Sequence, residues 1–181
     1  MKKILLLIIA TIFMVSNSYA QGFTLKSADI SGQLSQNQVL SGFGCTGKNI
    51  SPELNWQNAP ADTKSFAVTV YDPDAPTGSG WWHWVVFDIP NTITNIKAGA
   101  GNLENNLAPK GSVQSVTDFG ATGYGGPCPP SGDSPHRYIF TVYALNVEKL
   151  GVDKKSSPAM VGFFLNQHTI SKASLIAYYS R

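Results

Sequence analysis

The 181-residue chain is poor in charge and in the side chains that bind metals: charged residues make up 13%, and there are two cysteines and three histidines. Cys45 and Cys128 stand alone, with no Cys-x-x-Cys or His-x-x-x-His spacing, so they offer poor geometry for a metal site. The charge shows no basic stripe, the footprint a nucleic-acid binder needs. Repeats and low-complexity tracts are absent. Beyond residue 20, no apolar run approaches the roughly 20 residues that cross a bilayer. Ser131 and Ser134 lie near His136 in sequence, but neither sits in a Gly-x-Ser-x-Gly elbow, which leaves a serine-hydrolase reading weak.

What is present begins with an export pattern. Lys2 and Lys3 precede an apolar run from Ile4 to Val15, and Ser18-Tyr19-Ala20 supplies small residues at the two positions a signal peptidase reads. This order predicts a signal peptide over residues 1–20, cleaved after Ala20, and a periplasmic or secreted product. Residues 21–181 then form one domain, a length able to bury a substantial core. The formal charge of +2 includes Lys2 and Lys3 and no acidic residue of the leader, so the exported part is formally neutral. In an oxidising compartment Cys45 and Cys128 can form a disulfide. The alternative is a pair of buried free thiols, since cysteine packs well as a small hydrophobe.

Strand-like patterning dominates the rest. In residues 65–71, Phe66, Val68 and Val70 share one face and Ala67, Thr69 and Tyr71 the other; with both faces largely apolar, the run reads as a central strand. Residues 85–87 and 139–145 read the same way, and 23–30, 54–56 and 173–179 are further strand candidates. One helix is expected near 158–168: Ser157 suits the N-cap, Pro158 the first position, and Met160, Val161, Phe164, Leu165 and His168 recur at helical spacing. His168 falls at its end, where packing or compensation of the helix dipole is the expected role. Residues 98–124, rich in Gly, Asn and Ser, read as long loops. A mainly β domain, of sandwich type, follows.

Two blocks concentrate the candidate chemistry. Tyr71-Asp72-Pro73-Asp74-Ala75-Pro76 runs into Trp82-His83-Trp84, and Pro129-Pro130-Ser131-Gly132 runs into His136-Arg137-Tyr138. Each couples a rigid Pro-containing turn to a strand, a way to project a few polar groups from an apolar scaffold. Together with the stretch from Ser41 to Trp56 and the segment from Pro158 to Tyr179, they resemble the phosphatidylethanolamine-binding protein family in its bacterial Raf-kinase-inhibitor-like form. The resemblance implies a central β-sandwich with a few peripheral helices, a homodimer, and an anion pocket at Asp72, His83, Pro130, His136 and Tyr138.

Those residue types suit that role. A carboxylate that accepts from one imidazole nitrogen fixes the tautomer, so Asp72 is expected to orient His83. Tyr138 adds a hydroxyl donor, while Pro130 and its neighbouring glycines allow close backbone approach. Period two places His83 with Val85 and Phe87, opposite Trp82, Trp84 and Val86, and turns Arg137 away from His136 and Tyr138. Asp74 is expected to stabilise its turn, and Trp81, Trp82 or Trp84 could line the mouth. Taken singly, either block could be turn and core structure, with Asp72 closing an Asx-turn. Three functions fit: a non-catalytic binder of a small anion such as phosphate or phosphoethanolamine; an inhibitor or interaction protein with a protein target; and a hydrolase using Asp72, His83 and His136 as acid–base groups. None calls for a cofactor or metal, a nucleic acid, or a membrane span after signal removal.

Overall fold

The structure is a computed structural model that describes residues 22–181; the expected signal peptide lies outside the described residues. In chain order the strands are β1 (Thr24–Lys26), β2 (Ser41–Gly42), β3 (Cys45–Thr46), β4 (Leu54–Gln57), β5 (Ser65–Asp72), β6 (Trp81–Pro90), β7 (Asn95–Ile96), β8 (Val113–Gln114), β9 (His136–Leu145) and β10 (Thr169–Tyr179). Among the described residues one α-helix, α1 (Pro158–His168), precedes β10, and a 3-10 turn spans Leu103–Asn105. The protein is mainly β.

An antiparallel sheet in the order β10-β9-β5-β6-β8 forms the centre, and a second, β1-β4-β7, packs on one of its faces. Neither closes on itself. Phe66, Val68 and Val70 of β5 meet Leu25, Leu54 and Trp56 of the smaller sheet across the main core. The other face carries Ala67, Val85, Phe87 and Leu145, sealed by Val161 and Leu165 of α1. β5 is apolar on both sides because both sides are covered, as its sequence predicts. Burying an aliphatic side chain such as Leu165 contributes about 1.5–3 kcal/mol. Helix α1 starts where the sequence places it: the Ser157 hydroxyl accepts from the Met160 N–H at 3.2 Å, and Pro158 takes the first turn.

β6 departs from simple alternation twice. Val70 pairs with Trp84 but Tyr71 with Trp82, so β6 holds one extra residue at His83. Val68 pairs with Val86 but Phe66 with Ile89, and the second extra residue coincides with Asp88, whose φ is 58°. The first bulge overturns the period-two expectation. His83 faces the main core and touches the Tyr138 ring, while Trp82 falls on the helix side with Val85 and Phe87.

Other boundaries shift less. The first strand is only Thr24–Lys26, and β10 begins at Thr169, earlier than its apolar pattern suggests. The loop-like stretch 98–124 is mostly irregular but contains the 3-10 turn and β8. Cys45 and Cys128 are disulfide-bonded, with Cα atoms 6.0 Å apart. The bond ties the β2–β3 hairpin to the Pro-rich loop before β9.

Candidate functional site

Asp72 ends β5, His83 lies near the start of β6, and His136 and Tyr138 open β9. These three strands are neighbours in the central sheet, so its main-core face delivers all four side chains to one edge. There they line a cavity of about 240 Å³ with Pro130 and the turn residues Ala75, Pro76 and Thr77. The five residues the resemblance points to are thus brought together. Trp81 also lines it; Trp82 packs instead against Tyr71 and Trp84 is core, its indole N–H donating to Gln114 Oε1 at 2.7 Å.

The partner of Asp72 differs from the expected one. Its Oδ2 accepts from His136 Nδ1 at 2.7 Å, both side chains being almost wholly buried. His83 instead uses the backbone: its Nδ1 lies 2.7 Å from the Gly125 carbonyl, and the Gly125 N–H returns a bond to the His83 carbonyl at 2.9 Å. The register of three strands sets this choice, because Asp72 pairs across β5–β6 with Trp81, and the bulge carries His83 past it. Asp72 also closes its own turn, with Oδ1 accepting from the Asp74 and Ala75 N–H groups at 2.8 and 3.1 Å. The turn role and the site role coexist on one carboxylate. Asp74 is not the turn's closing group; it holds Arg137 through the backbone N–H, Nε and Nη2, out at the surface.

A carbonyl oxygen only accepts, so the Gly125 contact fixes the proton of neutral His83 on Nδ1 and leaves Nε2 with a lone pair. Burial holds the His83 pKa below its ordinary value, against the opposing pull of the Gly125 carbonyl and Asp72. Tyr138 is 1% exposed, and its hydroxyl has no hydrogen-bond partner among the described residues. Burial pushes its ionisation upward, and the neighbouring Asp72 carboxylate adds to this. Tyr138 therefore presents an intact O–H. The second nitrogen of His136 lies 3.5 Å from Asp133 Oδ2, on a half-exposed carboxylate.

Besides Trp81, the wall and mouth hold two further aromatic residues, Phe119 and Phe43, which sequence reasoning missed. Phe119 packs edge-on against His83 and Trp81, at ring separations of 5.4 and 5.3 Å. Its loop is fastened to β6, since Asp118 Oδ2 accepts from the Trp82 N–H at 2.8 Å. Phe43 projects from the β2–β3 turn at φ 50°, 77% exposed, 5.9 Å from Phe119. Gly125 is required where it stands, because a Cβ there would enter the Phe119 ring. The only signals for these residues were glycines flanking Phe43 and Phe119, which read equally well as plain turns.

Among the residues that line the cavity, none is Lys or Arg. It offers one oriented imidazole–carboxylate pair, one lone-pair acceptor and one free hydroxyl donor in largely apolar surroundings. Such a set suits recognition of a small polar group.

Comparison with known proteins agrees with the fold. The profile of the phosphatidylethanolamine-binding protein family matches residues 30–180. The chain is 50% identical over 177 residues to UPF0098 protein YbcL of Escherichia coli, covering 96% of this chain and 97% of that one. It is 51% identical over 148 residues to UPF0098 protein YbhB of the same organism, covering 82% and 92%. The crystal structure of E. coli YbcL, described as a new member of the mammalian PEBP family, superposes with a TM-score of 0.86 at 52% identity, over 88% of this chain and 98% of that one.

Proposed function

The chain belongs to the phosphatidylethanolamine-binding protein family, and we propose that it serves there as an exported, non-catalytic binding protein whose cavity accepts a small oxyanion, such as phosphate or the phosphoryl group of a lipid headgroup. The observation that carries this reading is the buried Tyr138 hydroxyl, without a partner, in the same cavity as His83 and the Asp72–His136 pair. An unpaired buried hydroxyl costs about 1–3 kcal/mol, a cost a ligand oxygen would remove. Two lining side chains carry hydroxyls, Thr77 and Tyr138, and Thr77 spends its own on the Gly80 carbonyl at 2.5 Å. Neither is bonded to a histidine, so the lining supplies no activated oxygen nucleophile, which favours binding over hydrolysis.

Export is supported by the leader pattern and by the Cys45–Cys128 bond, of a kind that persists in oxidising compartments. Amino-terminal sequencing of exported protein should begin at Gln21; finding Met1 would remove that part of the reading. For the pocket, titration calorimetry with phosphate should show that His83→Ala and His136→Ala each lose about tenfold or more in affinity. If both variants fold and bind as the wild type does, the residues are turn and core structure and nothing else.

A further inference from the structure

The His83 contact with Gly125 has a further consequence for which oxyanions fit. With Nδ1 committed as donor to a carbonyl 2.7 Å away, the other nitrogen of the neutral His83 ring, which lines the cavity, can only accept, and no described residue donates to it. Tyr138, whose ring centroid is 5.1 Å from that of His83, supplies the complementary donor. The lining includes the Asp72 carboxylate and no Lys or Arg. A fully deprotonated oxyanion would set one of its oxygens against a lone pair and its charge beside a carboxylate that His136 only partly offsets. An oxyanion that keeps one P–OH donates to His83, accepts from Tyr138 and carries one negative charge fewer.

Resting on the oxyanion reading above, we propose that the site is selective for a protonated phosphate monoester or phosphate monoanion, against sulfate and against phosphodiesters, with His83 Nε2 as the specificity-determining acceptor for the ligand's own O–H. A phosphodiester headgroup of an intact lipid lacks that proton. A free phosphomonoester has it below its second ionisation, at about pH 6. Burial of His83, which disfavours its charged form, keeps it in the accepting state, although Asp72 on β5, Asp118 on the neighbouring loop, and His136 and Tyr138 on β9 all face it or act on it electrostatically.

The test is calorimetry on the wild-type protein from pH 5.5 to 8 with phosphoethanolamine, glycerophosphoethanolamine and sulfate as separate ligands. Near pH 5.5 phosphoethanolamine should bind about tenfold or more tightly than the diester or sulfate. Above about pH 6 its affinity should fall roughly tenfold per pH unit, following the ligand's ionisation. His83→Gln, whose amide can donate to an unprotonated oxygen, should narrow the preference; if that variant does not fold, the wild-type series decides alone. Equal binding of all three ligands would overturn the selectivity while leaving an oxyanion site in place. So would sulfate affinity that rises as pH falls through the imidazole range in the wild type and not in His83→Gln, because His83 would then act as a charged donor. Absence of binding by every ligand at every pH would remove the oxyanion site and the selectivity together.

Discussion

Strand β6 carries the same device at both ends, put to opposite use. At each end one extra residue bulges the strand, and at each end a carboxylate is buried: Asp72 beside the first bulge, Asp88 within the second. At the far end everything is matched. Asp88 Oδ1 accepts from the Leu150 N–H at 2.8 Å, Lys149 lies 3.6 Å from its other oxygen, and Leu150 packs into the helix-side core. At the cavity end the bulge turns His83 inward with Nδ1 on the Gly125 carbonyl, and the Tyr138 hydroxyl beside it is left without a protein partner. A bulge or a buried acid is therefore no sign of function by itself; what distinguishes the cavity end is hydrogen-bonding capacity the fold does not consume.

The largest expected effect separates how the two ends are held. The cavity end depends on the Cys45–Cys128 bond, whereas the far end is packed under α1. Closing a loop of 83 residues can stabilise by up to ~4.5 kcal/mol in the chain-entropy model, and measured gains are commonly about 2–4. The double variant Cys45→Ser, Cys128→Ser should lose about that much in denaturant unfolding. Amide exchange should accelerate in the β2–β3 hairpin and the loop before β9 more than in α1. Uniform acceleration across both ends would mean that the disulfide does not distinguish them.

Next in size is a change at the matched end. Asp88→Ala strands the Leu150 N–H and puts a Cβ-bearing residue with no capping oxygen at φ 58°, for an expected loss of about 2–3 kcal/mol. Asp88→Asn, which keeps an acceptor and tolerates that backbone, should lose less than half as much. Phosphate affinity should change in neither. Asp72→Asn should do the reverse in relative terms, lowering phosphate affinity through the freed His136 more than it lowers melting temperature. Equal effects of Asp72 and Asp88 on binding would break the comparison.

How far this contrast could be read from sequence depends on what each residue answers to. The limits of α1 and the double-sided burial of β5 follow from local rules, an N-cap with Pro and an unbroken apolar run, and the structure reproduces both. The bulge at His83 is a property of pairing between two strands, so period two placed that side chain on the wrong face. The same register decides that Asp72 meets His136, which no spacing within either block reveals. Gathering all five resembled positions around one cavity was legible from the paired blocks; the roles within the set, and the Phe43–Phe119 mouth, were not.

A smaller effect has a sign that marks function. Tyr138→Phe removes a buried hydroxyl that bonds nothing, so stability should stay within about 1 kcal/mol of wild type or rise, while phosphate affinity falls. Thermal unfolding and calorimetry on the same sample would show it. A clear loss of stability with unchanged binding would make Tyr138 a structural residue like those around Asp88.

The smallest effect concerns Asp74, two positions beyond Asp72 and its opposite in setting. Its hydrogen bonds from Arg137 hold its pKa down at about 2, against an ordinary value of 3.8, with partial burial opposing the shift. A carboxyl whose pKa is lower in the folded state contributes stability that is fully present above its unfolded value and disappears as pH falls through the folded one. Both partners are substantially exposed, the Arg137 side chain at 47% and that of Asp74 at 30%, so solvent screens most of what the shift implies. Asp74→Asn should therefore lower the melting temperature by a few degrees at most at neutral pH. The difference should shrink between about pH 4 and pH 2 and vanish below, and added salt should reduce it at every pH. Phosphate binding should be untouched, because Asp74 faces the outer surface with Arg137 and does not line the cavity. If Asp74→Asn weakened binding as Asp72→Asn does, the two carboxylates of this turn would form one functional unit, and the division between consumed and unconsumed polar groups would have to be drawn further out, at Arg137.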